Sequence, residues 1–542
     1  MRSSRKFALL AVAALPFVAG GFLWQTRIAR QGELLDQVLG LVSDRFVDSL
    51  PQSAIYEKAA RGLIRELNDP YTELLAPKDY KQFSTRTGGR YGGLGMSIEL
   101  RDAAIVVARV FPHTPAERAG VREGDRIVGV DTLSTRGWST QQASDALTGT
   151  PGTKVRAKFL RPGVDQPLDY EFTRAIVHVP AVPFTLIFGT VGYVPLQSFN
   201  ENAATDLEAA VKDVQSRGAK GVILDLRRNP GGILEQSLAV SNLFLKQGLE
   251  IATVRARGGE VQPYPARVQP PLPSVPLIVL TDEGSASASE IVAGALQDHD
   301  RAVIVGQTTF GKGLVQSVYN LDGGYALKIT TAKWFTPSGR SIQRERTFVD
   351  GRFVEEAGRD SMETEASKKN RPAFKSDAGR TVYGGGGITP DIIVADDTVA
   401  TGDQQIARLL APRQEFYTLL LDYALELSKT VSPDFKPTAA WRQEVRARAE
   451  AKGLKFDGKY WEGGAAWIDR QLEHWVARYA MGDSAAARRE VVLDAPLRKA
   501  LEMMSKGQTQ KELFGLAQAP VKSPTAAAAP RNQSASKPQS KP

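Results

Sequence analysis

Gly284-Ser285-Ala286-Ser287-Ala288-Ser289-Glu290 lies between an apolar run, Pro276-Leu277-Ile278-Val279-Leu280, and a stretch whose Ile291, Val292, Ala295 and Leu296 recur at helical spacing. The apolar run reads as a buried strand, which puts the three serines on a strand-to-helix turn. Such a turn exposes a hydroxyl and aims helix N-terminal amides at it, favouring the negative charge that develops on a carbonyl oxygen under attack. Small neighbours let a peptide backbone approach. Serines also cap helices at this position, so the turn alone does not separate nucleophile from cap.

Outward from this turn the chain alternates strands and helices, the pattern of an α/β core. Strands are expected at Val191 to Leu196, Gly221 to Leu226, Leu277 to Leu280 and Ala302 to Val305, with helices at Ala203 to Gln215 and from Ala288. A longer strand pair follows, Val315 to Leu321 and Tyr325 to Phe335, turning at Asp322-Gly323-Gly324. Upstream, short β-rich runs at Ser97 to Leu100, Ile105 to Val107, Arg126 to Val130 and Val155 to Leu160, with one helix at Thr140 to Leu147, suit a compact module ending near His178. The flanks, Leu34 to Tyr80 and Gln404 to Leu516, read as helical. Between Arg344 and Gly387 the sequence turns polar, as an inserted loop or flap would.

A serine hydroxyl needs a base near neutral pH, and Gly311-Lys312-Gly313 offers one. Glycines on both sides let the lysine enter a confined place, where apolar neighbours depress its pKa. Gln316, four residues on, has the reach to hold the amine. The bland alternative is a hairpin glycine pair with a solvated lysine. Of the four histidines, His299 shares the expected helix with Ser287, but twelve residues at ~1.5 Å each separate them by about 18 Å, too far for a base. A Ser-x-x-Lys match at Ser534 to Lys537 falls in an Ala/Pro/Ser-rich tail expected to be disordered, where no pocket tunes a lysine.

The Ser-containing turn, Thr309-Phe310-Gly311-Lys312-Gly313-Leu314-Val315-Gln316 and Asp225-Leu226-Arg227-Arg228-Asn229-Pro230-Gly231-Gly232 together closely resemble the carboxy-terminal processing proteases, the tail-specific S41 peptidases. The resemblance implies that Ser287, the middle serine, is the nucleophile, Lys312, 25 positions later, the base, and Gln316 its partner. It further implies an oxyanion hole from the Ala288 amide and an amide of Gly231 or Gly232. Tyr91-Gly92-Gly93-Leu94-Gly95-Met96 looks like a PDZ carboxylate-binding loop, and Pro115 to Asp125 like the helix and turn of such a domain. Consecutive amides at Gly93, Leu94, Gly95 and Met96 would hold a substrate's terminal carboxylate, and the tail would add as a strand.

The fold implied is a ClpP/crotonase-like α/β protease core with an inserted PDZ module and helical N- and C-terminal regions. The expected divisions are 1–28 signal peptide or anchor, 29–88 helical segment, 89–178 PDZ, 179–400 protease core with an insertion at about 345–386, 401–517 C-terminal helices and 518–542 disordered tail. The resemblance runs from about Leu34 to Val394. Gly387-Ile388-Thr389-Pro390-Asp391 follows only after an unusually long insertion, and the helices beyond Gln404 exceed the family pattern. Its partners would be proteins with exposed apolar C-termini, with self-association left open. A catalytically silent PDZ scaffold or ligand-binding relative is the competing reading.

Composition narrows the field. The 542 residues hold no cysteine, which excludes disulfides, a cysteine nucleophile and thiolate metal sites, and four scattered histidines give a metal or other cofactor no support. The charge of +9, from 69 Lys and Arg against 60 Asp and Glu, is spread along the chain and makes no nucleic-acid footprint. Arg2, Arg5 and Lys6 precede an uncharged stretch, Phe7 to Trp24, closed by Arg27 and Arg30. That is an export signal placing the chain in the periplasm or another extracytoplasmic space, either cleaved near Ala19 and Gly21 or kept as a membrane anchor.

Overall fold

The computed structural model describes residues 33–518 apart from 102, 162–163, 350–351, 356–370, 396, 398–399 and 455–456. The export segment and the tail beyond 518 lie outside the described residues. Among the described residues no helix is long and apolar enough to cross a membrane.

The four strands read from the α/β pattern lie in one six-stranded sheet, in the order Leu186–Phe188, Val191–Pro195, Gly221–Asp225, Leu277–Thr281, Val303–Gly306, Ile392–Ile393, whose two outer strands were not expected. The first pair is antiparallel and the rest are parallel. A parallel sheet is covered on both faces, which explains unbroken apolar strands such as Leu277–Thr281, buried throughout. Alternation then sorts side chains by face. Val222, Leu224, Leu277, Val279 and Ile304 pack toward the helices Ala203–Ser216, Leu234–Asn242 and Ala288–Asp298. Ile223, Ile278, Leu280, Val303 and Val305 face Leu497, Met503, Met504 and Leu513 of the helices Ala495–Lys506 and Gln510–Gln518.

A second sheet stands beside the first, ordered Glu73–Leu75, Ala326–Phe335, Glu250–Ala256, Val261–Pro265, with Leu314–Asn320 also paired to Ala326–Phe335. The sequence reading did not expect Glu73–Leu75, which falls in the flank read as helical, nor Glu250–Ala256 and Val261–Pro265. The latter carries Pro263 and Pro265 and is mostly exposed, as an edge strand permits.

The β-rich module is a sheet of Met96–Arg101, Ala104–Val110, Arg126–Val130, Lys154–Leu160 and Leu168–Thr173, with the helix Thr140–Leu147 packed on it. Chain entry and exit run side by side as an antiparallel ribbon, Arg90–Gly93 against Ala175–His178. The bundle from Thr401–Leu410 to Asp483–Glu490 has its own apolar core around Phe416, Leu420, Trp467 and Leu472. At the expected insertion, hairpins form at Arg346–Val349 with Arg352–Glu355 and at Ala373–Lys375 with Thr381–Tyr383.

Candidate active site

Ser287 ends the turn after Leu277–Thr281 and precedes the helix Ala288–Asp298, whose eleven residues are all buried. Its backbone sits at φ 55°, ψ −110°, a conformation that costs a non-glycine residue on the order of 1–3 kcal/mol. Neighbouring bonds hold it there. The Ser285 hydroxyl donates to the Leu226 carbonyl at 2.8 Å, and the Ser289 hydroxyl to the Asn229 carbonyl at 2.8 Å. Of the three serines, Ser287 is the one whose hydroxyl is not bonded to a main-chain carbonyl among the described residues.

Glu290 is the residue that sequence reading undervalued. Its carboxylate, fully buried, accepts from the Ser287 N–H at 2.8 Å and the Lys312 N–H at 2.9 Å on one oxygen. The other oxygen accepts from the Gly311 N–H at 2.7 Å and the Thr309 hydroxyl at 2.6 Å. One carboxylate therefore fixes both the serine turn and the lysine loop. Ser287-x-x-Glu290 matches the capping-box pattern, the signal from which this is readable. Burial raises the Glu290 pKa, against four hydrogen bonds that favour the anion.

Lys312 is carried into the site by Gly311, where an added Cβ would meet Arg344 Cβ at 2.8 Å, and by Gly313, packed on Gln343. Its carbonyl accepts from the Trp334 indole at 3.0 Å. Its Nζ lies 4.6 Å from the centre of the Tyr71 ring, and the preceding Asp69 pins the turn by accepting from the Tyr71 N–H and the Thr72 hydroxyl. Burial lowers the Lys312 ammonium to about 8, assisted by Lys328 and opposed by Glu290 and Asp69. The Gln316 side-chain amide donates to Thr330 Oγ1 at 3.3 Å rather than reaching Lys312.

The glycine turn is stitched to the serine turn through fully buried Asn229, whose carbonyl accepts from the Ala286 N–H at 3.0 Å and the Ser289 hydroxyl. A Cβ on Gly231 would come within 2.8 Å of Ala288 N and 2.9 Å of Ser287 Cβ, so only glycine fits against the turn. The Gly231 N–H donates to Asn229 Oδ1 at 3.0 Å. Of the two glycines whose amides were open as oxyanion donors, Gly231 thus has its amide engaged.

In the module, Gly95 has φ 87° and an added Cβ would collide with Thr114 at 2.2 Å. Leu94 and Met96 are buried. The Tyr91 ring folds over Gly93, and burial pushes its phenol up to about 12, against the nearby amides of Gly95 and Met96, which favour the phenolate. His299 ends the Ser287 helix, with its ring on Asp377 and the Glu250 carbonyl. Among the described residues no group of three or more His, Cys, Asp or Glu is disposed to hold a metal.

Residues 190–350 match the model for peptidase family S41, and residues 106–161 that for the PDZ domain. The carboxy-terminal-processing protease of Bartonella bacilliformis is 39% identical over 321 residues, covering 58% of this chain and 73% of that protein. The carboxyl-terminal-processing protease of a Picosynechococcus species is 36% identical over 292 residues, covering 53% and 70%. The solved photosystem II D1 C-terminal processing protease is 30% identical, covering 58% and 83%, with a TM-score of 0.34. With this α/β core, PDZ module and similarity, the chain belongs to the carboxy-terminal processing proteases, serine-type peptidases of family S41.

Proposed function

We propose that this protease cleaves peptide bonds with a Ser287–Lys312 dyad and selects substrates by their C-terminal tails. The observation that carries the reading is the Glu290 carboxylate, which joins the backbones of Ser287 and Lys312 at 2.8 and 2.9 Å. Neutral Lys312 Nζ takes the proton as Ser287 Oγ attacks the scissile carbonyl carbon, and returns it to the leaving amine; water then attacks the acyl-enzyme with Lys312 again as base. The Ala288 amide at the helix start and the Gly232 amide hold the oxyanion, a role in which each donor is worth roughly 3 kcal/mol. Gln316 acts through its carbonyl oxygen, since its amide nitrogen is held by Thr330.

The tail carboxylate binds the amides along Gly93, Leu94, Gly95 and Met96, with the Tyr91 phenol beside the last two, and the tail pairs as an added strand. Substrates are envelope proteins with unstructured apolar C-termini. The charged start and uncharged run of residues 2–24 support export, with cleavage or anchoring as the two outcomes. The divisions at 28, 88, 178, 400 and 517 are proposed as the domain limits, with the ribbon Arg90–Gly93 and Ala175–His178 in support of the PDZ limits.

The test is Lys312→Ala in the purified protein. Turnover of a tail-bearing substrate is expected to vanish while binding of a C-terminal peptide, read by fluorescence anisotropy, stays unchanged. Full turnover in that variant sinks Lys312 as the base.

A further inference from the structure

Arg227 sits two residues beyond the central strand Gly221–Asp225 and four before Gly231. Its guanidinium folds back on Asp225, with Nε 3.0 Å from both carboxylate oxygens and Nη2 2.6 Å from one. Its outer edge makes a second, bidentate pairing with Asp494, at 2.8 and 2.7 Å. Two parallel charge-assisted bonds fix orientation as well as distance. Asp494 is itself anchored, because its carboxylate accepts from the Leu497 N–H at 2.9 Å and caps the helix Ala495–Lys506. That helix is fastened to the sheet by Leu497, Met503 and Met504.

The turn so gripped is the one bearing the proposed oxyanion donor. Beyond Arg227, Arg228 takes φ 58° with its N–H on Asp282 Oδ1 at 2.8 Å, and Asp282 also accepts from Gly284 of the serine turn. Asn229 then binds the same serine turn and sets Gly231 against Ala288. A change in where Arg227 rests therefore moves the Gly232 amide relative to Ser287, a distance on which transition-state stabilisation depends steeply.

We propose that Asp494, on the helical region outside the family match of residues 190–350, is a positioning residue that holds the oxyanion turn through Arg227. Asp494 touches no reacting atom. This rests on the reading of Ser287 and Gly232 given above, and makes the C-terminal helices part of the catalytic structure.

The variant that isolates the effect is Asp494→Ser, because serine still caps the helix but is too short for the guanidinium. It is measured on a short peptide without a recognition tail, with kcat expressed per nucleophile titrated by a fluorophosphonate, so any unfolded fraction drops out. The expected result is a fall in kcat of about ten-fold, a fraction of the 10²–10³ lost with an entire oxyanion donor, with KM within about two-fold. Asp494→Asn, which keeps one acceptor for Arg227, is expected to recover part of the loss. An unchanged kcat per titrated site, or a change confined to KM, overturns the proposal. Ser287→Ala is run in parallel. If it remains active, the nucleophile reading falls; if it is inactive while Asp494→Ser has normal kcat, only the role of Asp494 falls.

Discussion

A base drawn from a lysine must be neutral when it works, and burial brings Lys312 toward that state, assisted by Lys328 and against the pull of Glu290 and of the Tyr71 ring beneath Nζ. Activity is expected to rise with pH as the amine loses its proton, with an apparent pKa of about 8 in kcat/KM of the free enzyme. The same depression has a stability signature. The unfolded chain binds this proton more tightly, so the penalty is full below about 8 and is relieved as pH climbs toward the ordinary lysine value of 10.5. Lys312→Met should therefore raise Tm at pH 7, and the gain should shrink above pH 10, as thermal melts at both pH values will show. Glu290→Gln is a second residue-scale test. One amide cannot accept from four donors, so about 3 kcal/mol of stability should go, together with kcat per titrated site. Urea midpoints and fluorophosphonate titration read the two losses separately.

At the scale of elements, the loop Tyr91 to Met96 carries its own aromatic cover. Tyr91 lies back over Gly93, a position that only glycine leaves open, with its phenol near the amides of Gly95 and Met96. Tyr91→Phe removes the competing oxygen and is expected to tighten binding of a C-terminal peptide by about five-fold, the order of one modest hydrogen bond, by anisotropy titration. Weaker binding would assign the phenol a supporting role instead. Strands whose apolar residues run unbroken or alternate were readable from sequence, as were the serine turn and the lysine loop, because local pattern dictates them. Val261–Pro265 was not, since its prolines and exposure argue against a strand and only its pairing with Glu250–Ala256 makes it one. The Arg227–Asp494 pairing spans 267 positions and leaves no local trace. Nor did sequence indicate that Asn229 engages the Gly231 amide, because an Asx bond depends on the turn already being formed.

Across the whole molecule, the C-terminal region holds two things at once. Its last helices cover one face of the central sheet, and its bundle grips the PDZ module through Arg101 on Tyr479 at 2.8 Å and Arg109 on Asp483 at 2.6 Å. Leu513→Ala should therefore destabilise the protease core by about 3 kcal/mol although it lies far along the chain from the motifs, a loss that a urea melt of the full chain detects. An unchanged midpoint would mean that these helices only decorate the sheet. The chain enters and leaves the module through one doorway, the ribbon of Arg90–Gly93 against Ala175–His178. For an engineer, that doorway is a socket: another peptide-reading domain with adjacent ends, spliced within the two strands, would redirect the same blade to a different address.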